Sequence, residues 1–156
     1  MAWSASKIFR AYLHNALTRT ATLDLDGDAH KAALYNNSGT PDQNAAAAST
    51  GYNTGQWVVA NEVSQSGQYA AGGVALASVV VDQATAGVVF MDANDTASGA
   101  AATLTGVFGT LVYDDTSTTP VADQGVCFNY FGGTQSVTSG TFTIVWSGNG
   151  IMRYTL

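Results

Sequence analysis

The chain has 156 residues, 46% of them hydrophobic and only 10% charged, with a formal net charge of −6. That length supports one domain, residues 1–156, with a core of its own. An acidic body repels phosphate backbones, so no nucleic-acid partner is expected. No apolar run approaches the ~20 residues of a spanning helix, so no membrane partner is expected either.

Lys7 and Arg10 interrupt the apolar pattern at the N-terminus, which does not read as a signal peptide. The lone cysteine, Cys127, excludes an internal disulfide framework and a cysteine-based zinc site, and points to synthesis in a reducing cytoplasm. Four of the five basic residues (Lys7, Arg10, Arg19, Lys31) lie near the N-terminus; only Arg153 follows them.

Residues 4–19 read as an amphipathic helix. Ser4 is the expected N-cap, bracketed by Trp3 and Ile8 as a hydrophobic staple. Phe9, Leu13, Ala16 and Leu17 recur at helical spacing, with Asn15 off that stripe. So short a helix is marginal alone and needs a sheet to lie on. Asp24, Asp26 and Asp28 around Gly27 resemble the start of a calcium loop, but no glutamate follows at the required offset, so a solvated turn is expected.

The first strand is expected over Lys31–Asn36. A long connection, Asn36–Gly55, follows, with one helical turn near Ala45–Ala48. Further strands are expected over Gln56–Val63, Tyr69–Val81, Gly87–Asp92 and Ala100–Tyr113, with Gly72-Gly73 marking a bulge or a close backbone approach. The C-terminal third, Leu104–Leu156, organises the rest. Its strands Gly125–Phe131, Val137–Trp146 and Ile151–Leu156 are separated by Gly132-Gly133-Thr134 and by Asn149-Gly150, the latter a tight-hairpin signal. About eight short strands with frequent turns predict a mainly β fold: an antiparallel β-sandwich or barrel with one N-terminal amphipathic helix.

Reactive constellations are scarce. His30 beside Asp28 offers a base and an orienting carboxylate, but there is no Gly-x-Ser-x-Gly elbow, and His14 sits by the helical stripe. Glu62, the only glutamate, and Asp114-Asp115 are the sole basis for a small glycoside-active enzyme, with Glu62 or Asp115 as the acid. Cys127, between Val126 and Phe128, reads as a buried mid-strand thiol. Trp57, Tyr69 and Tyr130 are candidates to stack on sugars, against a core-filling role. No catalytic, cofactor or metal site is expected.

Several short patterns follow one another along the chain. They are the segment Ser4–Thr18, then Ala33-Leu34-Tyr35, Thr40-Pro41-Asp42, Asn61-Glu62-Val63, Gln68-Tyr69-Ala70, the Gly-rich run Leu104–Asp114 and the closing Val137–Trp146. In that order the chain resembles the small structural proteins of tailed bacteriophages. The resemblance implies a virion component without catalytic residues: a capsid decoration (cement) or minor capsid protein. It would bind the major capsid protein on the outer surface of the head as a small homo-oligomer. The alternative is a minor tail or baseplate protein that binds host-surface carbohydrate. The N-terminal helix region or the Asn36–Gly55 loop is expected to supply part of the capsid contact.

Overall fold

The computed structural model describes residues 3–19 and 23–156. Among them the chain forms β1 (Lys7–Ile8), α1 (Arg10–Thr18), β2 (His30–Tyr35), β3 (Val74–Ala75), β4 (Val80–Asp82) and β5 (Val88–Asp92). There follow β6 (Thr96–Ala97), β7 (Ala102–Asp114), β8 (Gly125–Gly140), β9 (Thr143–Ile144) and β10 (Met152–Thr155). Three antiparallel sheets result, ordered β1-β8-β7-β2-β3, β10-β5-β4 and β6-β9. The fold is mainly β with one helix near the N-terminus, as the sequence predicts, and is consistent with a sandwich. The buried side chains of all three sheets join in one apolar cluster.

β7 and β8 form the spine, pairing from Ala102↔Gly140 to Tyr113↔Gly125 with several register shifts. The first residues of β7 alternate: Ala102 and Leu104 are buried, Thr103 and Thr105 exposed. From Gly109 to Asp114 every residue is buried, so this half of the strand is covered on both faces. Leu111, Val112 and Tyr113 make that possible, and Thr110 is tolerated because its hydroxyl donates to the Ala33 carbonyl at 2.9 Å.

The helix departs from the sequence reading. It begins at Arg10, not Ser4, because Lys7 and Ile8 pair with Phe128 and Cys127 as an edge strand. Phe9 N–H donates to the Val126 carbonyl at 3.0 Å, and Arg10 N–H to that of Gln43 at 3.0 Å. Those sheet bonds outweigh local helix propensity over residues 4–9. Trp3 is no staple: it is buried edge-on against Trp57 and Phe128, and its indole N–H donates to the Asn36 carbonyl at 3.0 Å. The helix is also rotated from the expected stripe. Tyr12 and Asn15 are its buried residues, and Leu17 is 76% exposed.

The Gln56–Val63 segment is not a strand. It forms a tight turn, with Asn53 N–H bonded to the Trp57 carbonyl at 3.0 Å, and then a 3-10 turn over Val59–Asn61; only a bridge between Tyr35 and Glu62 resembles pairing. The Asn36–Gly55 connection does carry one helical turn, the 3-10 segment Ala47–Ser49. Gly132-Gly133-Thr134 does not break the chain into two strands but lies within β8. Asn149-Gly150 does turn, with Gly150 N–H to the Ser147 carbonyl at 2.7 Å. It makes no hairpin, since β9 pairs with β6 and β10 with β5.

Gly73 fulfils the expected close approach. Its φ is +81°, and a Cβ there would sit 2.2 Å from the Ala32 carbonyl oxygen, backbone that cannot swing away. Gly73→Ala is therefore expected to destabilise by about 2 kcal/mol or more, combining left-handed strain with loss of the β2–β3 approach. Urea denaturation checks this; a midpoint equal to wild type would contradict it.

Candidate functional site

Of the carboxylates and histidines singled out in the sequence, Glu62, Asp115 and His14 lie apart, while Asp28, His30 and Asp114 come together. Glu62 accepts from the Tyr52 hydroxyl and from Gly72 N–H, each at 2.8 Å. Burial raises its pKa, and those two bonds oppose the rise. The Tyr52 ring stacks on Tyr113 at 5.1 Å, and the Tyr113 hydroxyl donates to the Gly72 carbonyl at 2.7 Å. Glu62 thus ties the 52–62 loop to the glycine pair before β3. Asp115 is paired with Lys31 at 2.9 Å, the one ion pair among the described residues. His14 is exposed on α1. Cys127 is buried, its thiol pushed up to about 12 by burial, far from a reactive thiolate. In the acidic turn, Asp24 uses its carboxylate to accept from Gly27 N–H at 3.2 Å.

A buried polar cluster lies between α1 and the sheet. His30 and Asp114 are directly opposed in the β2–β7 ladder. Asp114 N–H donates to the Gln124 carbonyl at 2.9 Å, and the Gln124 side chain accepts from Asn15 of α1 at 3.3 Å. Asp114 Oδ1 accepts from Thr116 and Ser117 N–H at 2.9 and 3.0 Å. Its Oδ2, His30 Nε2, Tyr12 Oη and Gln124 Nε2 are buried without a hydrogen-bond partner among the described residues. His30 uses Nδ1 toward the Asp28 carbonyl at 3.0 Å, the backbone rather than the carboxylate the sequence offered. Burial lowers the His30 pKa and raises that of Asp114 to about 6, with the Asp28 charge adding to the latter. All these side chains are closed off: His30 and Tyr12 are 1% exposed, Asp114 and Gln124 0%. The cluster packs beneath the helix, with these side chains closed off from solvent.

A hollow of about 670 Å³ lined by Asp24, Asp28, Thr116 and Ser117 borders the cluster, and a second open concavity, richer in aromatic side chains, lies elsewhere. A groove of about 630 Å³ runs between the β1–β8 side of the large sheet and the segment from β9 to β10. Lys7 reaches it from β1 and Arg153 from β10, where Arg153 Nη1 donates to Asn149 Oδ1 at 2.6 Å. Trp146, just past β9, is held by its indole N–H to Thr96 Oγ1 at 3.2 Å and its backbone N–H to Asp95 Oδ1 at 3.0 Å. Tyr130 lies on β8 with its ring stacked on Trp3 at 6.5 Å and its N–H donated to Ser6 Oγ at 3.0 Å. Val145 is 73% exposed on the same groove.

No family model, no curated protein and no solved structure matches this chain.

Of the three aromatic residues proposed to stack on sugars, Trp57 and Tyr69 are 1% and 0% exposed and belong to the core. Tyr130 alone reaches the groove. Sequence reasoning passed over Trp146 and Arg153 as site residues and took Lys7 only as part of a basic N-terminal segment able to dock on an acidic partner. The signal was there: Trp146 directly precedes Ser147-Gly148-Asn149-Gly150, so it stands at a strand end, and Arg153 is the only base after Lys31.

Proposed function

We propose that this chain is a structural component of a tailed-bacteriophage virion. In this reading it is a capsid decoration or minor capsid protein that binds the outside of the head, bridges major-capsid subunits and acts as a small homo-oligomer. Binding only to the assembled lattice would stabilise it by mass action, without chemistry. The order of sequence patterns supports the family, and one structural observation supports an adhesive role. One open groove has apolar and aromatic lining, while Glu62 and Asp115 are engaged in internal bonds and His30 and Asp114 are closed off from solvent. Apolar side chains also stand exposed at Leu17, Val80, Val145 and Leu156, apart from the core.

The test is fractionation. After virions are dissociated, the protein is expected with heads and not with tails, and recovery with tails overturns the reading. Deleting residues 1–20 is not a usable probe of the contact, because Trp3, Phe9 and Tyr12 are core residues and the truncated chain would lose its fold. A second reading, glycan binding by a tail protein, is favoured by Trp146, Tyr130 and Phe131 in one groove. It predicts glycan-array binding that Trp146→Ala abolishes. Trp57→Ala is no test of it, because Trp57 is 1% exposed and its loss destabilises the core.

A further inference from the structure

We propose that the groove receives an extended, acidic polypeptide segment of the shell protein on which this chain sits, an inference that rests on the head-binding reading above. Charge is the first argument. The groove takes two of the chain's five basic residues, Lys7 and Arg153, and none of its eleven acidic ones. Neither cation has an ion-pair partner among the described residues; Arg153 is oriented only by the neutral oxygen of Asn149. Asp42 borders the next hollow along β1 but forms no ion pair with Lys7. In a molecule of net charge −6, a cationic, acid-free groove is a local reversal of sign, and a bound carboxylate supplies the missing counter-charge.

The second argument is the backbone. β1 and β10 are each the outermost strand of their sheets, and both contribute to the groove. An extended segment lying between two such edges can add to a ladder, gaining main-chain hydrogen bonds without a matching surface of its own. The third is the lining. Ile144, Val145 and Met152 add apolar surface to the lining that holds the two cations. The period-two alternation of a strand would turn apolar side chains to that surface and acidic ones to the rim.

These features favour a peptide over a sugar, since the Tyr130 ring is already stacked on Trp3 and the Trp146 N–H is already bonded to Thr96. They also disfavour a second copy. The chain's own acidic stretch is a closed turn, with Asp28 N–H bonded to the Asp24 carbonyl at 2.8 Å, and it has no extended form to offer.

The test uses heads stripped of this protein and rebound with purified full chain. The double variant K7E/R153E alters two exposed side chains, so its melting temperature should equal that of wild type; K7Q/R153Q is the milder companion. Rebinding is expected to weaken at least about tenfold for the reversal and less for the neutral pair, with a wild-type affinity that falls as salt rises. A photoreactive p-benzoylphenylalanine at Val145 should crosslink to one acidic segment of a shell protein. Wild type that fails to rebind heads defeats the head-binding reading itself. Wild type that rebinds while K7E/R153E rebinds equally well defeats only the groove. Crosslinks to a second copy of this chain or to glycan, or an absence of crosslinks on rebound heads, likewise overturn it.

Discussion

Trp57→Ala is expected to remove roughly 3–5 kcal/mol of stability, the usual cost of truncating a buried large aromatic side chain. Trp57 is 1% exposed and sits at the meeting point of four other rings. Trp3, Phe9 and Tyr35 approach it edge-on at 5.7, 5.9 and 5.1 Å, and Phe128 lies tilted at 5.9 Å. These rings come from the segment before β1, the N-cap of α1, β2 and β8, so one side chain touches four separate parts of the chain. Its carbonyl accepts the Tyr35 hydroxyl at 2.5 Å and the Asn53 N–H at 3.0 Å, the latter closing the turn that carries the indole. Against a typical total of about 5–15 kcal/mol, the loss leaves a marginal protein. Urea unfolding followed by far-UV circular dichroism should show a lower midpoint at unchanged slope. Trp57→Phe should cost much less, because it keeps a ring in place and removes an indole N–H that is buried without an acceptor. An alanine variant within about 0.5 kcal/mol of wild type would mean the ring is not at the core at all.

The aromatic centre explains which parts of the fold were legible. β2, β5, β7, the first half of β8 and β10 were readable because β-branched and aromatic runs bounded by turn residues carry their own signal. Gly72-Gly73 was readable for a related reason: a glycine pair inside such a run has few explanations other than close backbone contact. Residues 3–9 were not, because Trp3, Ile8 and Phe9 also fit helical spacing, and only the distant partners Cys127 and Phe128 make Lys7–Ile8 a strand. Trp57 misled in the same way, its neighbours Val58 and Val59 imitating a strand where the indole needs a turn. The buried polar docking of α1 was invisible. Asn15, Gln124 and Asp114 are ordinary surface residue types, and the contact between Asn15 and Gln124 spans 109 positions. The groove was the least legible feature, since Lys7 and Arg153 come from opposite ends of the chain and meet only through the sheets.

That hidden polar contact gives the fold an unusual dependence on pH. Asp114 is 0% exposed, and burial, reinforced by the Asp28 charge, raises its pKa from 3.8 to about 6. The folded chain therefore holds this proton more tightly than the unfolded chain. The stabilisation is complete below the unfolded value and is lost as pH rises through about 6. The rise is worth up to about 3 kcal/mol. Glu62, also raised by burial, acts in the same direction. His30, lowered by burial, acts in the opposite one and loses stability as pH falls below its ordinary value of 6.5. Substitution separates these contributions. Asp114→Asn keeps the oxygen that accepts from Thr116 and Ser117 N–H and replaces the other carboxyl oxygen, whose side-chain neighbour is Asp28, with a neutral amide donor. The variant is expected to melt about 5 °C above wild type at pH 8 and to lose about half of that advantage at pH 5, where the folded wild-type carboxyl is protonated but the unfolded one is not. Thermal melts of both proteins at the two pH values check it. Parallel responses would mean that Asp114 stays ionised in the fold, and that α1 is docked on a charge rather than on a neutral acid.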